Sequence, residues 1–163
     1  MYRPKVQEII DKFQLQAHIE GGYFREDYKS EVIIPDAVTG KGERSLITTC
    51  YYLIPNGERS IFHRLASDEL WNFFCGGAVD FYEIDANGIL TTTVIGPDIK
   101  NHQLKHLVKK GTWFGVLPHA TTEYSFFSAM VFPGFEYADW EKGDPQFLKK
   151  LCPDAENLID LLT

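Results

Sequence analysis

Near the start of the chain, apolar side chains fall at three- and four-residue intervals: Val6, Ile9, Ile10 and Phe13. That stripe predicts an amphipathic helix over Arg3–Phe13, with Pro4 tolerable in its first turn. From His18 the pattern changes. Gly21-Gly22 is a breaker, Tyr23–Tyr28 reads as a strand, and Val32–Ile34 as a second short one stopped by Pro35. Asp36–Arg44, with two glycines among polar residues, is expected to be a mobile loop. A train of short apolar runs follows at intervals of about ten residues: Leu46–Leu53, Ser60–Leu65, Glu69–Phe74, Ala78–Ile84, Leu90–Ile95, Lys105–Val108, Thr112–Leu117 and Tyr124–Phe132. Turn signals such as Pro55-Asn56-Gly57, Gly76-Gly77, Asn87-Gly88 and Gly96-Pro97-Asp98 separate them. Many short strands with regular turns predict an all-β sandwich or barrel, and the lack of helical crossovers predicts that it is mainly antiparallel. Weak helices over Pro145–Leu151 and Ala155–Leu162 are expected to flank it.

The whole chain, 1–163, is expected to form a single domain: an N-terminal helix within 1–17, a barrel over 18–139 and a helical segment over 140–163. Its 12 Phe, 8 Tyr and 3 Trp supply ample apolar surface and favour strands. A formal charge of -7 opposes general attraction to nucleic acid, and the basic cluster Lys105–Lys110 is short enough to be a solvated strand end. Cys50, Cys75 and Cys152 are odd in number and form no C-x-x-C pair, which fits a reducing compartment. With neither a leader pattern nor an apolar run long enough to span a bilayer, the expectation is a cytoplasmic protein that does not engage a membrane.

The stretch richest in chemistry runs from Gly57 to Gly76. His63 ends one strand and Glu69 begins the next, with Ala66-Ser67-Asp68 as the turn. The two side chains are therefore expected to face each other across neighbouring strands about 4.8 Å apart. Alternation puts Glu69, Trp71 and Phe73 on one face, apolar bulk with one placed polar group, which suits a pocket wall. A buried hydrogen-bonded pair stitching two strands together would look the same.

Gly57, His63, Glu69 and Gly76 stand at the spacing of the first cupin motif, G-x5-H-x-H-x3-4-E-x6-G, with Leu65 at the second histidine position. The second motif, P-x-G-x2-H, overlays Lys109–Phe114 and keeps only Gly111. The phrases His18-Ile19-Glu20-Gly21-Gly22-Tyr23-Phe24-Arg25, Ser60 through Trp71, Gly111-Thr112-Trp113 and Pro133-Gly134-Phe135-Glu136 resemble those of a small cupin family of unknown function. That family usually carries Gln where Lys105 stands and Pro where Lys109 stands. The resemblance implies an antiparallel jelly-roll β-barrel, often a homodimer, and a ligand pocket inside the barrel. It implies no particular reaction. Some relatives have been compared with a metal-free epimerase of a nucleotide-linked sugar, by analogy of fold.

A full cupin metal site uses three histidines and a glutamate, and here only His63 and Glu69 fill those positions. The expectation is thus no tightly bound metal and no cofactor, at most a weakly held divalent ion on His63 and Glu69. The spare His102, His106 and His119 lie near turns or strand ends. A histidine beside a carboxylate suits a general base, and Tyr124 is the candidate acid, with a core tyrosine as the alternative. Phe24, Trp71, Trp113 and Phe114 would form an aromatic clamp or plain core, and Ser60 and Lys105 complete the candidate ligand-binding set. The function expected is binding of a small polar molecule, with isomerase or epimerase chemistry on a sugar, nucleotide-sugar or related metabolite. The alternatives are a non-catalytic binding module and a metal-dependent dioxygenase or decarboxylase.

Overall fold

Inward-facing residues of the predicted strands condense on one another as two sheets, and the computed structural model describes them within residues 4–163. The predicted first helical residue, Arg3, lies outside the described residues. The elements are α1 (Val6–Phe13), β1 (Gln16–Ala17), β2 (Tyr23–Lys29), β3 (Ile33–Ile34), α2 (Asp36–Thr39), β4 (Arg44–Ser45), β5 (Thr48–Pro55), β6 (Ser60–Leu65), β7 (Asp68–Gly76), β8 (Val79–Ile84) and β9 (Leu90–Ile95). They continue with β10 (Lys105–Val108), β11 (Trp113–Pro118), β12 (Tyr124–Phe132), β13 (Trp140–Lys142), α3 (Pro145–Leu151) and α4 (Glu156–Leu161). One sheet has the order β1-β2-β5-β12-β7-β10 and the other β13-β6-β11-β8-β9, while β3 and β4 pair by themselves. The strand pairs are antiparallel.

Tyr52, Trp71, Phe81, Phe114 and Phe127 fill the space between the two sheets, each buried and in edge or stacked contact with another ring. Each sheet is also covered outside. Alpha-helix α1 lays Ile9 on Leu53, Tyr124 and Phe126, whereas α3 and α4 lay Leu148, Ile159 and Leu162 on Phe62, Ile84 and Trp113. The barrel is thus a packed core with helices on both outer faces. His106 on β10 reaches Glu83 on β8 and ties the two sheets together along one seam.

Two expectations need correction. Asp36–Arg44 is not a featureless loop: Asp36–Thr39 is a short helix, and Arg44 is buried in β4 and paired with Asp139 at 2.8 Å. The polar residues that read as loop are the ion-pair and turn groups that pin the segment down. The link from β6 to β7 is not a hairpin either, because β6 and β7 belong to different sheets. Its turn is held from outside, with the Ala66 N–H donating to the Asp139 carbonyl (3.0 Å) and Lys41 Nζ to the Ala66 carbonyl (3.0 Å). His63 and Glu69 are therefore not cross-strand neighbours but look inward from opposite walls.

A cavity with two unlike carboxyls

A cavity of about 60 Å³ opens between the sheets, lined by His18, Glu20 and Phe24 from the N-terminal segment, Cys50 and Tyr52 from β5, His63 and Leu65 from β6, and Glu69 from β7. Ala129 and Val131 on β12, between β5 and β7, and Phe135 complete the lining.

The entry of Glu20 depends on the two glycines that follow it. Gly21 has φ +104, and a Cβ there would stand 2.0 Å from the Arg59 carbonyl oxygen. At Gly22 (φ +65) it would stand 2.6 Å from the Leu53 carbonyl oxygen. Only glycine lets the chain press this close to β5 and β6 in a left-handed conformation. The Glu20 carbonyl then accepts from the Ile61 N–H (2.9 Å), and its side chain passes inside, 5% exposed. There Glu20 Oε1 accepts from Trp140 Nε1 (2.6 Å) and lies 3.4 Å from His63 Nε2. Its Oε2 accepts from Ser60 Oγ (3.4 Å) and lies 3.5 Å from His18 Nδ1.

His63 reaches the same place through a bulge. The register between β6 and β11 shifts between the Phe114–His63 and Val116–Ser60 pairs, so Ser60 and His63 both face inward despite their odd spacing. The Phe62 N–H has left the ladder and donates to the Leu162 carbonyl at 2.6 Å. His63 Nδ1 sits 2.8 Å from the Ile61 carbonyl, which can only accept, so Nδ1 carries the hydrogen and Nε2 is the basic nitrogen facing Glu20.

Electrostatics separate the two carboxyls. Burial alone would raise Glu20, yet the proximity of His63, hydrogen bonding from His18 and Trp140, and the charge interaction with His18 hold it below the ordinary carboxylate value. Burial lowers His63, with Glu20 and the Ile61 carbonyl opposing. Glu69 lacks such help. Burial pushes it up to about 8, the charge on Glu20 pushes the same way, and the nearby Trp71 indole opposes only weakly. Among the described residues neither the buried Glu69 Oε2 nor the buried Trp71 Nε1 has a hydrogen bond of ordinary geometry, so the indole biases the carboxyl without satisfying it. At neutral pH the cavity thus holds an ionised Glu20 against a basic imidazole and a protonated Glu69 with an unfilled oxygen. Two carboxyls driven apart in this way form an acid and a base side.

Of the residues singled out from sequence, Phe24, His63 and Glu69 line the cavity and Ser60 supports it through Glu20. Trp71 and Phe114 lie in the core beside it, the Phe114 ring 4.1 Å from the His63 ring. Three do not belong. Tyr124 is under α1, because inward-facing Phe127 and Ala129 on β12 send it to the outer face. Trp113 is under α3, where Arg64 stacks on it at 4.3 Å, since its neighbour Phe114 takes the inward position. Lys105 is exposed, and it is His106 that turns inward on β10. Glu20 escaped the sequence reading. Its signal was the glutamate directly before a glycine pair, which reads as a breaker.

The donor set does not fit a cupin metal. Leu65 lines the cavity with a hydrocarbon side chain, Phe114 presents a ring, and among the described residues no three His, Cys, Asp or Glu side chains are grouped to hold an ion. His106 is engaged by Glu83 and His119 by Asp80 (3.0 Å), well apart from the cavity residues.

The order of strands, the glycine-gated entry of Glu20 and the His63–Leu65–Glu69 spacing meet in one comparison: the family profile described as Cupin superfamily (DUF985) matches residues 7–143. The chain is a member of that cupin family. Protein SO0799 from Shewanella oneidensis has a similar crystal structure, with a TM-score of 0.89 at 31% identity, covering 99% of this cupin and 98% of that chain. A hypothetical protein from Leishmania major gives 0.89 at 27% identity, covering 98% and 99%. In Saccharomyces cerevisiae the uncharacterized protein YML079W is 28% identical over 164 residues, 91% of this cupin and 81% of the yeast chain. Among the described residues no helix is long and apolar enough to cross a membrane.

Proposed function

We propose that this cupin carries out metal-independent proton transfer on a small polar metabolite, as an isomerase or epimerase, with His63 as base and Glu69 as acid. The supporting observation is the buried Glu69 Oε2, left without a partner in a cavity that also holds the Glu20–His63 pair. A proton taken from a substrate carbon by His63 Nε2 comes to rest between an imidazole and an anionic carboxylate, which favours the imidazolium. The O–H of Glu69 meanwhile polarises a carbonyl oxygen and can donate its proton to the resulting enolate. Glu20 acts through His63 as a positioning residue, and Cys50 takes no part as a nucleophile because burial pushes its thiol up.

Incubation of small sugars and hydroxy-ketones in deuterated water reads the chemistry directly. Wild type is expected to introduce deuterium at the carbon beside the carbonyl, and His63→Ala or Glu69→Gln to slow this by about 100-fold or more, the usual contribution of one general acid or base. If wild type exchanges nothing while ligand still binds, the protein is a binding module.

The same proposal includes a homodimer in the cytoplasm, with no nucleic-acid or membrane partner. Tyr28, Val32, Ile33 and Leu46 gather exposed apolar surface near β2–β4 and support self-association there. Val32→Glu is expected to convert the dimer to monomer in sedimentation, and a wild type that sediments as a monomer overturns this part.

A further inference from the structure

Among the described residues, three of the fourteen side chains around the cavity are glutamates, and none is lysine or arginine. The cations Arg25, Lys29, Lys41, Arg44 and Arg64 are engaged elsewhere. Arg25 donates to the Phe13 carbonyl (3.0 Å), Lys41 and Arg44 pair with Asp139 (3.1 and 2.8 Å), and Lys29 pairs with Glu136 (2.7 Å). Arg64 faces outward onto Trp113 and Glu141.

We infer that the cavity selects a small uncharged hydroxy-carbonyl compound and rejects anions, so that phosphorylated, carboxylated and nucleotide-linked molecules are not its ligands. This rests on the reading of the cavity as the ligand site but not on turnover.

Charge and size both support it. An anion entering the cavity meets Glu20, which is buried and ionised, and passes Glu26, which is exposed at the rim on β2. With no guanidinium or ammonium among the described lining residues, and with the His18 and His63 imidazoles already turned to Glu20 at 3.5 and 3.4 Å, the anion would lose its hydration beside a like charge. The remaining hydroxyls on the wall carry no positive charge and are themselves engaged, Thr48 by the Phe135 N–H, Thr49 by Asp27 and Tyr52 by the Gly21 carbonyl. A space of about 60 Å³ holds roughly five water-sized groups. That suits a fragment of three or four carbons with its oxygens. Phe24, Leu65 and Val131 cover the carbon skeleton, while Glu69 Oε2 awaits the polar end.

The test compares hydroxyacetone, lactate and 1-amino-2-propanol, which are close in size and differ in charge. Binding to the full chain at neutral pH is read from the Trp140 indole N–H resonance, since that group donates to Glu20 inside the site. Hydroxyacetone is expected to shift the resonance in a saturable way and lactate to bind at least about tenfold more weakly, the repulsion of a like charge in a partly screened pocket. Glu20→Gln is expected to narrow that gap. If lactate binds as well as hydroxyacetone in wild type, the charge selection is wrong while the ligand site stands. If 1-amino-2-propanol outbinds hydroxyacetone tenfold, the ligand class is cationic and the inference fails. If none of the three moves cavity resonances, the cavity is not the ligand site and both readings fail. Absence of deuterium exchange would sink turnover alone.

Discussion

Glu69→Gln is expected to be more stable than wild type at pH 7, by about 3 kcal/mol, and nearly equal to it at pH 4.5. A carboxyl held up to about 8 in the folded protein has an unfolded value near 4.5. Below 4.5 both states carry the proton and the site makes no difference. Between 4.5 and 8 the unfolded chain releases its proton while the folded chain keeps it, so rising pH favours unfolding. Each unit of pH in that window costs about 1.4 kcal/mol, and above 8 the folded state ionises too and the loss levels off. Glutamine has the same shape and no proton to lose, so its stability does not follow that curve. Urea unfolding of both proteins across pH checks this. Parallel curves would mean that Glu69 is an ordinary carboxylate and that the acid in the proposed chemistry is missing.

Glu20→Ala is expected to lose about 3–5 kcal/mol at neutral pH, the usual cost of deleting one partner from a buried charged network. The loss has a structural basis. Trp140 Nε1 and Ser60 Oγ both donate to Glu20, and truncation leaves each buried and unanswered. Glu20→Gln should lose only about 1–2 kcal/mol, because its amide oxygen still accepts from Trp140 and its amide nitrogen can donate to the Ser60 hydroxyl. The pH dependence runs opposite to that of Glu69. Glu20 is held below its unfolded value of 4.5, so its contribution is present above that value and disappears as pH falls through the folded one. Removing the Glu20 charge also removes a cause of the high Glu69 value, so Glu69 in Glu20→Gln should titrate lower than in wild type. A Glu20→Ala variant as stable as wild type would show that the network is ornamental to the fold.

Most of the fold could be read from local signals. Regular turns and two-residue alternation gave the strands, and helix stripes located α1, α3 and α4, because each of these depends on neighbours in sequence. The site was half legible. His63 and Glu69 stood out by spacing, but a three-residue link between strands reads as a hairpin, and whether it stays in one sheet or crosses to the other depends on distant residues such as Asp139. Ser60 and His63 share a face only through a bulge fixed by the carbonyl of Leu162, about a hundred residues away. The outward placement of Tyr124 and Trp113 follows from local alternation. Trp113 and Phe114 are adjacent and cannot both point inward on a strand, and alternation from Phe127 sends Tyr124 outward. Glu20 is the deepest miss. Nothing local announces that a glutamate beside two glycines enters a barrel, since the glycines are explained only by the carbonyls of Leu53 and Arg59 against which they pack.

The pairing of a protonated Glu69 with an ionised Glu20 in one cavity is the claim on which the chemistry depends, and carbon-13 NMR of the glutamate carboxyl groups reads it directly. With resonances assigned by Glu69→Gln and Glu20→Gln, Glu69 is expected to titrate near 8 and Glu20 to stay ionised to below 4.5. A Glu69 carboxyl that titrates with the surface glutamates, or a Glu20 carboxyl still protonated at neutral pH, would contradict the account.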